Sequence, residues 1–294
     1  MPGSSLRFWP VTDPSTLTLL EGISVAEVRP DVFRAVYPHW WEGDRVFGGF
    51  VVAQATAAAL RTVDRPEDLH SLHGYFLRPA KPGDASEISV DRVRDGRSFT
   101  TRRTSTTVHG KETFVMMASF HAPEEGEEYQ LAVADVPRPT ELADRIEDDG
   151  PFEVIELGPS EQSPDGTYAS TRRAWIRCGV DLGSDPATHL AAAAYASDMT
   201  RAAFRPGSLG SWGEHIDASL DHSVWFHALP DMCSWHLFDL HTVVTGSGRS
   251  YMRGSLADED GALVFSMAQE ILIRRIAGAT AVHFEDPEHR PTSP

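Results

Sequence analysis

Apolar positions along this chain follow two different periods. From Val264 to Ile273, VFSMAQEILI, residues alternate between two faces, the pattern of a strand. One face carries Phe265, Met267, Gln269, Ile271 and Ile273, so an amide interrupts an apolar stripe. Two other stretches do not alternate. FVVAQATAAAL, after Gly48-Gly49, and ATHLAAAAYASDMTRAAF at 187–204 are alanine-rich, and both are predicted helices. Strand-like runs follow each of them on short turns such as VRDGRS and DEDGA, which favours antiparallel pairing. Each half therefore reads as one long helix laid on an antiparallel sheet.

The halves also resemble each other. GRSF at 96–99 returns as GRSY at 248–251, an offset of 152. Met117-Ala118 lies over Met267-Ala268 and Phe76 over Phe226, both at an offset of 150. Three matches in one order at near-constant spacing indicate two copies of an α+β domain packed as an internal dimer. The expected division is 1–123, an acidic Pro- and Gly-containing linker at 124–166, a second copy at 167–284, and a disordered tail at 285–294.

Composition narrows the partners. A formal net charge of -17 disfavours nucleic acid and anionic membrane surfaces. Nearly all positive charge is arginine, which suits bidentate contacts to phosphate. Two distant cysteines, Cys178 and Cys233, imply no disulfide framework and fit a reducing cytoplasm. The N-terminus does not read as a signal peptide, and no apolar run reaches membrane-spanning length. The histidines show no HExxH or paired spacing, so no metal is expected. A GxSxG elbow and a complete phosphate loop are missing too.

Gln269 needs partners, because an unsatisfied buried amide costs roughly 1–3 kcal/mol. It is either tied to backbone or faces a cavity holding water or ligand. The first-copy position 150 residues earlier is Ser119. Asp198 shares a predicted helix face with Leu190 and Ala194. Packed there, its pKa rises, as a general base requires. Ser219 shares a strand face with Asp221, Ser223, Trp225 and His227. Asp221 and His222 alternate in direction, so they cannot easily cooperate in a triad.

The segments VFGGFVVAQA, HSLHGYFLRPAKPGD, VRDGRSFTTRR, MASFHAPEEG, YASDM, LDHSVWFH and GRSYMRG, in this order, resemble the acyl-CoA thioesterase II family. The likeness covers about residues 15 to 275. It implies two tandem hotdog domains, each an antiparallel sheet wrapped around a long helix, and hydrolysis of fatty acyl-CoA by an activated water. It implies that Asp198 acts as base and that Ser219 and Gln269 orient the water. Serine stands where threonine is often seen, which removes a methyl that restricts χ1. The first copy has Ala59, Leu69 and Ser119 at the matching positions, so one site per chain is expected. A backbone N–H after Gly48-Gly49 is the candidate oxyanion donor. Phe76, Met117, Trp225, Phe226 and Met267 are candidate acyl-chain contacts. Arg97, Arg102 and Arg103 are candidate partners of the CoA phosphates. No cofactor is implied, and a homo-oligomer is expected. A hotdog enoyl-CoA hydratase or dehydratase, which needs a His paired with an acid on the helix, is one alternative; the Asp198 helix offers only His189. A non-catalytic acyl-CoA binding protein is another.

Overall fold

The computed structural model describes residues 18–39, 45–157, 171–200 and 215–275. The expected tail, the end of the linker at 158–166 and the extra second-copy residues at 201–214 lie outside the described residues. The first half holds α1 (Leu19–Ile23), β1 (Ala26–Arg29), β2 (Val32–Val36), α2 (Gly48–Leu60), β3 (Leu69–Phe76), β4 (Ala85–Asp95), β5 (Phe99–Val108) and β6 (Lys111–His121). After it come β7 (Glu147–Asp149), β8 (Phe152–Glu156), β9 (Thr171–Cys178), α3 (Pro186–Ala196), β10 (His215–Ser219), β11 (Asp221–Phe226), β12 (His236–Gly246), β13 (Arg249–Asp258) and β14 (Leu263–Arg275).

The strands form one antiparallel sheet, ordered β1-β2-β4-β5-β6-β3-β11-β14-β13-β12-β9-β8-β7. β10 pairs with β14 beyond the end of β11. β3 and β11 join the halves at the centre. In their register His73 faces Ser223 and Tyr75 faces Asp221. Moving Tyr75 and Asp221 by 150 positions in opposite directions gives Trp225 and Ser71, which are also partners. The pairing is thus symmetric under the repeat, about a point where His73 Nδ1 meets Ser223 Oγ at 3.0 Å.

The Met-Ala match at β6 and β14 is one residue out of register. The inward residues Phe114, Met116, Ala118 and Phe120 of β6 correspond to Phe265, Met267, Gln269 and Ile271 of β14, an offset of 151. Met117 is 39% exposed on the outer face, whereas Met267 is 2% exposed inside. The β5 and β13 partners keep an offset of 150 (Arg102 for Met252), so the turn from β13 to β14 takes up the extra residue. A slip of one residue on a strand exchanges the faces.

α2 is buried along almost its whole length, which its run of small alanine and valine side chains permits. α3 starts at the Asp185 cap with Pro186 in its first turn and ends at Ser197. It is shorter than 187–204, and Asp198 lies past its end, in a tight turn where Thr200 N–H donates to the Asp198 carbonyl at 2.7 Å. The two helices meet closely. A Cβ on Gly49 would fall 2.7 Å from the Tyr195 carbonyl, and the Tyr195 ring packs edge-on against Phe50 at 4.8 Å. Both expected turns are present: Gly96 N–H donates to Phe99 O, and Asp258 N–H to Ala262 O. The acidic stretch is more than a tether, since β7 and β8 extend the sheet beyond β9 and Gln130 bonds the β13–β14 turn. Among the described residues no helix is long and apolar enough to cross a membrane.

Gly74 in β3 sits under a ring: a Cβ there would lie 2.4 Å from Phe114 Cζ. Gly74→Ala is expected to cost about 1–3 kcal/mol by overpacking, lowering Tm by several degrees in a thermal melt. An unchanged Tm would contradict the close approach.

Candidate active site

Asp198, Ser219 and Gln269 come from a turn after α3, from β10 and from β14, and they converge. The Gln269 Nε2 group donates to Asp198 Oδ1 at 2.6 Å and to Ser219 Oγ at 2.8 Å. Ser219 Oγ in turn donates to Asp198 Oδ1 at 3.5 Å. The other end of the amide is held as well, because Thr200 Oγ1 donates to Gln269 Oε1 at 3.3 Å. The ionised Asp198 carboxylate, which can only accept, fixes which way the amide faces, a choice that hydrogen-bond partners must decide. The apolar stripe of β14 tolerates Gln269, 1% exposed, because every polar atom of its side chain has a partner.

The second carboxylate oxygen of Asp198 lies against the first half. A Cβ on Gly48 would be 2.6 Å from Oδ2, so the glycine makes room for the acid. The Gly49 N–H, in the first turn of α2, is directed at the same carboxylate and pulls its pKa down. Helix N-termini favour anions, and here the anion is a side chain of the other half. Hydrogen bonds from Gln269 and Ser219, at roughly 1.5–3 kcal/mol each, oppose a desolvation penalty of several kcal/mol. Burial wins: it pushes the Asp198 carboxyl up to about 7, against the lowering pull of Gln269, Ser219 and Gly49, with nearby Asp217 pushing the same way as burial.

His222 was set aside on strand parity, yet it is fully buried beside this group. Its Nδ1 lies 4.0 Å from Asp198 Oδ1. Asp221 and His222 do point apart, as the alternation predicts, but the strand breaks at Leu220, so Ser219 on β10 shares its face with His222 on β11 rather than with Asp221, and both face Asp198. Asp221 instead points away and accepts the Glu270 N–H at 2.6 Å.

Other candidates are scattered. Phe226 and Met267 are buried inward, and Phe76 is half-buried, close to the space Gly48 leaves open. Trp225 is 40% exposed on the outer face with its ring edge on His73, and Met117 faces outward too, so neither lines the interior. Arg102 is buried and all five of its N–H groups are taken, by Thr62 Oγ1, Thr62 O, Arg94 O, Thr101 O and Asp95. That saturation removes it as a phosphate ligand. Arg103 pairs with Asp91 at 3.6 Å. Arg97 is exposed beside a groove of about 450 Å³ shared with Thr62, Arg65 and Arg92. This groove lies past the C-terminal end of α2, roughly 20 Å along that helix from Gly48. His189, Asp231 and Cys233 gather their ligand atoms within 4.8 Å. His189 has no free nitrogen for a metal, since Nδ1 accepts Met232 N–H and Nε2 meets the Gly183 carbonyl.

The first copy's counterparts change with the observed boundaries. Aligning the helix ends, Arg61 on Ser197, puts Thr62, not Ala59, opposite Asp198. The sheet register puts Ala118, not Ser119, opposite Gln269, while Leu69 remains opposite Ser219. Ala59 is buried inside α2.

Residues 37–121 match the acyl-CoA thioesterase N-terminal domain family and residues 123–273 the acyl-CoA thioesterase C-terminal domain family. The human protein acyl-coenzyme A thioesterase 8 is 30% identical over 90% of this chain and 91% of its own. Acyl-CoA thioesterase 2 of Haemophilus influenzae is 28% identical over 78% of this chain and 88% of its own. The crystal structure of an acyl-CoA thioesterase II from Mycobacterium marinum superposes with a TM-score of 0.76 at 30% identity, covering 89% of this chain and 99% of that one.

A buried carboxyl with a raised pKa makes the fold less stable as pH rises from about 4 to 7, because the folded state holds the proton that the unfolded state has lost. The stability of Asp198→Asn relative to the unaltered protein is therefore expected to improve across that window and level off above it. Denaturant melts at several pH values test this; a pH-independent difference would contradict the desolvated carboxyl.

Proposed function

We propose that this chain, which belongs to the acyl-CoA thioesterase family, hydrolyses fatty acyl-CoA to a free fatty acid and CoA with one site per chain. The observation that carries this reading is a desolvated carboxyl within hydrogen-bond reach of a hydroxyl and an amide. Asp198 takes a proton from a water molecule whose orientation Ser219 and Gln269 set, which lowers the entropic cost of attack. The water oxygen bonds the thioester carbonyl carbon. As the tetrahedral intermediate collapses, the C–S bond breaks, and the proton on Asp198 passes to the departing thiolate. A pKa raised toward neutrality makes Asp198 a stronger base than an exposed carboxylate while leaving it ionised at slightly alkaline pH.

In this reading the two copies are tandem hotdog units, α2 and α3 being the helices their sheets curve around. The first copy lends the start of α2 to the site but has no acid of its own. Phe76, Phe226 and Met267 form apolar wall for the acyl chain. Cys178 and Cys233 are free thiols, which suits the cytoplasm. The exposed outer face of Tyr75, Met117 and Trp225 is where a second copy would pack to form a homo-oligomer. A hydratase or dehydratase is less well supported, because the helix histidine, His189, is engaged with Gly183 and Met232.

Asp198→Asn is expected to stay folded and lose at least about a hundredfold in thiol release, in line with the loss of a general base. The same assay on the unaltered protein is expected to show activity rising through pH 7, as Asp198 ionises. Full turnover by a folded Asp198→Asn variant would refute the assigned base.

A further inference from the structure

The site holds a histidine with no assigned task. Its tautomer follows from its neighbours. Ser197 Oγ lies 2.8 Å from the Ala194 carbonyl and 2.7 Å from His222 Nε2, but it has one hydrogen to give. The Ala194 carbonyl sits at the end of α3 without a main-chain donor, since the Asp198 N–H turns to Tyr195 O instead. A buried helix-terminal carbonyl needs a donor. The hydroxyl hydrogen therefore goes to Ala194, and His222 Nε2–H donates to Ser197. A neutral ring then carries no hydrogen on Nδ1. That atom is buried without a hydrogen-bond partner among the described residues, and it faces Asp198 Oδ1 at 4.0 Å. The ring stays neutral near pH 7, because burial pushes it down to about 4, only partly offset by the Gln269 amide. These two groups are not an ion pair.

Two acceptors facing each other repel while Asp198 is ionised and attract once Asp198 carries a proton. Closing the gap by about 1 Å makes an ordinary O–H···N bond. Resting on the hydrolytic reading above, we propose that His222 is a positioning residue acting through Asp198: its bare Nδ1 holds the proton that Asp198 removes from water. This strengthens the base and keeps the proton in place for its return to the thiolate, while His222 takes up no net charge. The other groups facing Asp198 leave room for this role. Ser219 and Gln269 donate to the carboxylate, and the Gly49 N–H pulls its pKa down; Asp217 acts as a nearby negative charge; Tyr195 stays neutral because burial raises its pKa far above the usual range.

The test combines kinetics with nuclear magnetic resonance. His222→Gln keeps an N–H toward Ser197 but has no ring nitrogen toward Asp198. With decanoyl-CoA as substrate, the acid limb of kcat/KM is expected to fall by about one pH unit, with kcat reduced and KM unchanged. In the unaltered protein, the 15N signals of His222 are expected to report an Nε2–H, neutral ring, with Nδ1 shifting as Asp198 titrates. A folded His222→Gln variant with an unmoved acid limb would overturn the proposal, as would a hydrogen on Nδ1. The ring signals decide the matter alone if the variant does not fold. Asp198→Asn, assayed in parallel, separates the two readings. If it is inactive while His222→Gln leaves the limb unmoved, only the role of His222 falls; if it is fully active, the hydrolytic mechanism falls with it.

Discussion

A carboxylate taken out of water at the meeting of two half-molecules is the constraint around which this site is built. Asp198 is almost entirely buried, and the groups that keep it tolerable come from both halves: the bonded Ser219 of β10 and Gln269 of β14, and the Gly49 N–H at the start of α2, which lowers its pKa. Removing any of these leaves a buried charge short of a partner, which is costly. The same shortage of solvation is what raises the basicity of the group. Burial, hydrogen bonding and proposed chemistry are therefore one balance, in which burial outweighs the donors and leaves the carboxyl basic.

Each half reaches that balance differently. At the position where the second half has Met252, the first half has Arg102, whose buried guanidinium grips Thr62, the residue standing opposite Asp198. Leu69 and Ala118 replace the hydroxyl and the amide. A fully bonded cation thus closes the end of α2 where the second half exposes an acid to its neighbours. The sheet remains symmetric about His73 and Ser223 although the chemistry does not.

Much of this was legible in the residues. The alternation around Gln269 marked a strand, the alanine-rich runs marked two helices, and the repeats pointed to duplicated halves. Burial of Asp198 and the rise in its pKa followed from its alanine neighbours, although the helix stops short of it. The grouping of Asp198 with Ser219 and Gln269 came from family resemblance, since their separation along the chain carries no geometric signal. Identity alone misplaced the register. A shared Met-Ala pair aligned Met117 with Met267, but an extra residue in one turn puts these methionines on opposite faces. Alternation puts His222 on the face away from Ser219 because it assumes an unbroken strand, and the break at Leu220 resets it. Thr200 follows the acid by two positions and had no pattern to mark it. Arginine clustering could not distinguish Arg102, sealed inside, from Arg97 at the surface.

The close approach of Gly48 and Gly49 to Asp198 and Tyr195 bears on how the two halves depend on each other. The first half has Thr62, Leu69 and Ala118 where the second has its acid, hydroxyl and amide, yet the start of α2 packs against the second half at a spacing that admits no side chain. A side chain at either glycine would therefore disturb a part of the molecule some 150 positions further along the chain, the acid beside Gly48 and the end of α3 beside Gly49.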